Sequence, residues 1–78
     1  MSDTAERLVH MANQIAVAFR TRGAEAAAQA TCEHIVRFWD PRMRRGLLAH
    51  LSTGGAGLNA IARAAADRLA AADGEGVR

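Results

Sequence analysis

Apolar residues recur at every third or fourth position along most of this chain. That spacing predicts four helices and no strands. The first helix spans Thr4–Thr21, with Leu8, Met11, Ala12, Ile15, Ala18 and Phe19 on one stripe. Asp3 is placed to cap it, with Glu6 three residues later closing a capping box. Gly23 ends it. The second spans Ala24–Trp39 and carries Ala28, Cys32, Ile35 and Trp39 inward, a stripe that Thr31, Val36 and Phe38 widen. Glu33 and Arg37 form an i,i+4 pair on its other face. The third spans Pro41–Ser52 with Met43, Leu47, Leu48 and Leu51 on one side, and Gly54, Gly55 and Gly57 break it. The fourth spans Leu58–Ala72, with Leu58, Ile61, Ala65 and Leu69 inward. Short connections favour antiparallel neighbours. The expected fold is all-α: a small antiparallel bundle of about four helices in one domain, residues 1–72, with a disordered C-terminal tail at 73–78.

The join between the second and third helices is the sharpest local signal. Proline disfavours helical geometry in the residue before it, so the chain must turn at Asp40. Asp is a good N-cap, and Pro41 suits the first position of a helix. Phe38 and Trp39 then end one helix while Met43 and Leu47 begin the next. The tight corner is expected to gather Phe38, Trp39, Pro41 and Met43 as structural anchors at the centre of the core.

Composition sharpens this picture. Half of the 78 residues are hydrophobic, but many of those are Ala. Each Ala buries little area, at roughly 25 cal/mol per Å². The expected deep core is therefore short: Leu8, Met11, Ile15, Phe19, Ile35, Phe38, Trp39, Met43, Leu47, Leu48, Leu51, Leu58, Ile61 and Leu69. A chain this poor in large apolar groups often needs a staple or a partner. A single cysteine forbids an internal disulfide. Cys32 and His34, two apart, diverge by about 200° on a helix and cannot grip one metal together. Cys32 is read as a small buried hydrophobe. No apolar run reaches membrane-spanning length. The start, MSDTAERL, has an early acid and no apolar core of a leader, so the expected location is a reducing cytoplasm.

All ten basic residues are Arg, and the net charge is only +2. Arg42, Arg44 and Arg45 sit in the first turns of a helix, where the macrodipole is already positive. Asp40 can offset Arg44 through an i,i+4 pair, but Arg42 and Arg45 have no local partner. A broken local rule of this kind points to an anionic surface, such as carboxylates on a protein. Along the first helix, Arg7, His10, Asn13 and Gln14 form a polar flank, and Val17 stands among polar neighbours, as at the rim of an interface. DNA binding is an alternative reading: the corner allows a helix-turn-helix, yet only arginines stand at the start of the recognition helix and eight acids are spread among the bases. Catalysis finds no constellation. Thr53–Gly57 is Gly-rich but follows a helix and lacks a phosphate-cradling pattern. His10, His34 and His50 have no triad-like partners. No catalytic, cofactor-binding or metal-binding residue is assigned.

Three strings carry a resemblance: RLVHMANQIAVAF (Arg7–Phe19), HIVRFWDPRMR (His34–Arg44) and LLAHLSTGGAGLNAIARAA (Leu47–Ala65). Together they resemble the delta subunit family of the soluble, NAD-dependent, molybdenum-containing formate dehydrogenases. The sequence departs where the family's pattern would put a proline, near Asn59. The resemblance implies a holoenzyme that oxidises formate to carbon dioxide and reduces NAD. It implies a large subunit with a molybdenum cofactor and iron–sulfur clusters, and diaphorase subunits carrying FMN, further clusters and the NAD site. This chain, with one Cys and no nucleotide loop, is expected to bind none of these. Its expected role is that of a non-catalytic subunit that stabilises or assembles the complex, or alternatively a transient maturation factor for molybdenum-cofactor insertion. No nucleic acid or membrane partner is implied. Arg42, Arg44 and Arg45, with His34 and Asp40 beside them, are then expected to meet carboxylates of the large subunit through fork-like bonds. Arg7, His10, Asn13 and Gln14 would form a second contact strip.

Overall fold

The computed structural model describes the backbone of residues 3–76 and the side chains of residues 4–72. It is all-α among the described residues, with four helices: α1 (Asp3–Phe19), α2 (Ala24–Phe38), α3 (Pro41–Ser52) and α4 (Ala60–Gly76). A single 3-10 turn, Arg20–Arg22, continues α1 up to Gly23. None of these helices is long and apolar enough to cross a membrane. α1 includes Asp3, so that residue lies in the first turn, and its side chain falls outside the described residues.

Two boundaries of α4 differ from the sequence reading. It starts at Ala60 because Asn59 caps it: the Asn59 Oδ1 accepts the Ala62 N–H at 2.8 Å. Asn thus does at this position what a proline would do by fixing φ. The helix also runs through Ala72 to Gly76, into the stretch expected to be a tail, while residues 77–78 lie outside the described residues. Each further residue adds a hydrogen bond to an existing helix, so the Ala70–Ala72 run carries it onward.

The core cluster holds Leu8, Ala12, Ala16, Ile35, Trp39, Leu47, Ala62, Ala66 and Leu69. Met11, Ile15, Cys32, Met43, Leu48, Leu51, Leu58 and Ile61 pack against it half-buried. The expected list of deep residues thus named the right region and misjudged its depth. Alanines occupy much of the fully buried space, including Ala27, Ala28 and Ala65. α2 packs most extensively on α4, and most of the buried residues on both helices are alanine. Small side chains let two helices approach closely, so contact density replaces side-chain bulk. The α1 stripe also rotates: Ala16 is buried, whereas Ala18 is exposed.

Phe38 corrects the expected core most sharply, because it is 67% exposed while Trp39 is 5% exposed. Trp39 leaves the helix in an extended conformation (φ −90°, ψ 142°). Its indole continues the inward line of Ile35, four residues earlier, and the Phe38 ring stands about 100° away round the last turn. The two adjacent side chains cannot both face inward.

Candidate functional site

The Asp40–Pro41 corner is built as the sequence predicts. Asp40 is extended, its carboxylate accepts the Met43 N–H at 2.8 Å, and Pro41 opens α3. Trp39 is buried, Met43 is half-buried against the core, and Pro41 is exposed. The arginines then separate. Arg44 does not pair with Asp40. Its Nη1 donates to the Trp39 carbonyl at 2.7 Å and more weakly to the Val36 carbonyl at 3.5 Å. Those oxygens sit at the carboxyl end of α2, where carbonyls lack helical partners and the dipole is negative. The cation that is misplaced at the start of α3 is well placed at the end of α2. Arg42 and Arg45 are exposed and, among the described residues, make no ion pair or side-chain hydrogen bond.

The α1 strip divides in the same way. Arg7, His10 and Gln14 are exposed. Arg7 borders a shallow cleft with Thr4, Leu8, Met11 and Met43. His10 and Gln14 flank a depression that exposes Val17. Asn13, by contrast, is an internal clamp. Its Nδ2 donates to the Gly57 carbonyl at 2.9 Å, and its Oδ1 accepts the Asn59 N–H at 2.9 Å. It ties α1 to the loop that precedes α4. Arg63 donates to the Gly54 and Gly55 carbonyls, and the His50 ring bonds the Ala56 carbonyl at 2.8 Å. Gly55 is buried with φ +64°, where a side chain would be strained and would crowd the Arg63 guanidinium at 3.1–3.3 Å. The Gly-rich loop is therefore a clasp held by side chains.

His34 is half-buried in an aromatic ladder that sequence reasoning did not find. Its ring lies 4.7 Å from that of Phe38 and 6.4 Å, edge on, from that of Phe19. The Arg22 guanidinium lies over the Phe19 ring, 4.7 Å from its centroid. Four side chains from two helices and the 3-10 turn thus touch in sequence, edge-on and tilted. The spacing of His34 and Phe38, one helical turn apart, was the available signal; the approach of Phe19 and Arg22 was not.

Glu33 does not pair with Arg37. It accepts from Gln29 at 2.7 Å, and Gln29 in turn accepts from Arg68 at 2.8 Å, beside an Arg68–Glu25 ion pair at 3.8 Å. This polar chain edges the α2–α4 seam. Cys32 is half-buried next to it. Burial pushes its thiol above the ordinary value of 9.0, Arg68 pulls it back, and Glu33 adds to the rise.

A model of the family described as NADH-dependant formate dehydrogenase delta subunit FdsD matches residues 7–66. No curated protein and no solved structure matches the chain.

Proposed function

Because the chain belongs to the formate dehydrogenase delta subunit family, we propose that it is a non-catalytic subunit stabilising or assembling a cytoplasmic, NAD-dependent molybdenum formate dehydrogenase. The molybdenum cofactor, iron–sulfur clusters, FMN and NAD belong to its partners, the large subunit and the diaphorase subunits. The family match over residues 7–66 carries this reading. One cysteine in the whole chain supports it, since an iron–sulfur cluster held by a single chain draws on about four. Arg42 and Arg45, without a partner among the described residues and on a helix fixed by its cap, suit carboxylates of a larger subunit.

The test is gentle purification of the tagged chain from its native cell, with a formate:NAD assay and metal analysis of what comes with it. The reading expects a fixed-ratio complex that contains molybdenum and reduces NAD with formate. A sub-stoichiometric catch of the large subunit alone would reassign the chain to cofactor insertion. Recovery of the chain by itself would overturn both.

A further inference from the structure

Three large hydrophobic side chains are exposed among the described residues, and two of them, Val36 at 51% and Phe38 at 67%, lie on the last turn of α2. Phe38 forms a wall of a cleft of about 200 Å³ that is also lined by Phe19, Arg22, Glu33, His34 and Arg37. Sites for small molecules and cofactors run to about 300–1,000 Å³. This cleft is smaller, and its size suits one or two side chains of another protein.

Its chemistry narrows the partner. The Phe38 ring faces water yet packs 4.7 Å from His34, which in turn meets Phe19 beneath Arg22. An aromatic anchor held ready loses little entropy on binding, which is the property of an interface hot spot. Around it stand two guanidiniums and one carboxylate. Arg37 has no ion pair or side-chain hydrogen bond among the described residues, and the Glu33 carboxylate already accepts from Gln29. The rim therefore attracts negative charge. A nucleic acid would bring its phosphates against Glu33, on a chain whose net charge is only +2.

We propose that the Phe38 cleft docks a segment of a larger formate dehydrogenase subunit, one that presents an apolar side chain flanked by carboxylates. The apolar group covers Phe38 and His34, and the carboxylates meet Arg37 and the open edge of Arg22. This rests on the subunit reading above and names the surface by which it is carried out.

The experiment replaces the native chain with tagged wild type, Phe38→Ser, Arg37→Glu or Arg37→Lys and measures the formate dehydrogenase recovered with each. Circular dichroism melts of the isolated chains accompany it. Phe38 and Arg37 are exposed, so the melts should stay close to wild type. Phe38→Ser and Arg37→Glu should each recover about tenfold less complex, Arg37→Lys should keep most of it, and added salt should weaken the wild-type association. Undiminished recovery by Phe38→Ser and Arg37→Glu would overturn this docking surface and leave the subunit reading standing. Failure of the wild type to recover the enzyme would remove both. A wild-type dimer that Phe38→Ser dissolves would hand the face to a second copy. Binding of a single-stranded oligonucleotide lost in Phe38→Ser would hand it to nucleic acid.

Discussion

At the scale of the residue, two side chains have roles that their types alone do not fix. Asn13 reads as a polar surface residue, yet its amide satisfies a carbonyl and an N–H of the loop before α4. Asn13→Ala leaves both groups without a protein partner, at a cost of about 1–3 kcal/mol. Better helix propensity returns about half a kcal/mol. Net destabilisation of about 0.5–2.5 kcal/mol should appear as a lowered melting temperature, and an unchanged melt would show that water replaces the clamp. Cys32 is the second case. The chain has no Tyr and no Lys, so Cys32 is the only side chain whose ordinary titration lies between those of His and Arg. Its thiol is raised in the folded state. The unfolded chain therefore loses that proton first. The stability associated with this group is full below about pH 9 and falls as pH rises toward the folded value. Urea midpoints should drop across this range in the wild type, and Cys32→Ala should flatten the drop.

Elements bring a different kind of constraint, because helices meet at particular residues. α3 crosses α1 at Gly46, where an added Cβ would stand 2.7 Å from Leu8 Cδ1. Leu8 is 4% exposed and has little room to move. Gly46→Ala gains about 1 kcal/mol of helix propensity. Overpacking costs about 1–3 kcal/mol. The substitution should therefore destabilise the wild type by up to about 2 kcal/mol. In a Leu8→Ala background the cavity accepts the methyl group, and the same change should stabilise. A double-mutant cycle in urea reads this sign reversal, and additive effects would rule out the contact. The α2–α3 corner belongs to this scale too. Its start and stop signals, Asp40 and Pro41, are local, and the sequence places them correctly. The capping of α2 by Arg44 needs two helix ends brought side by side.

For the whole molecule, the radius of gyration is 11.4 Å, close to the roughly 11.5 Å of a compact chain of this length. Compaction is reached without a disulfide, through an alanine seam that sets α2 against α4. Such a core has little to spare. Ile35 is among the largest fully buried side chains, and Ile35→Ala should remove about 2–5 kcal/mol. A 78-residue chain has about 4–12 kcal/mol in total. The variant should melt far below wild type by circular dichroism, and a near-native melt would mean that the partner-free fold depends on other contacts.

The helices, the cap at Asp40, the α2–α3 turn and the family were all legible in the sequence, because each depends on residues within a few positions or on strings that travel together. Depth was not. Whether an alanine is core or surface depends on what approaches it, and Ala16 and Ala18 differ only in what lies opposite. The candidate site divided along the same line. Asn13 and Arg44 found partners inside the fold, while Arg42 and Arg45 have none among the described residues. Trp39, four residues after the buried Ile35, continues the inward line of α2, while Phe38, about 100° away round the helix, came to the surface. Spacing along the chain set the elements, and the partners each side chain meets were decided by packing between elements, a long-range geometry that local periodicity does not encode.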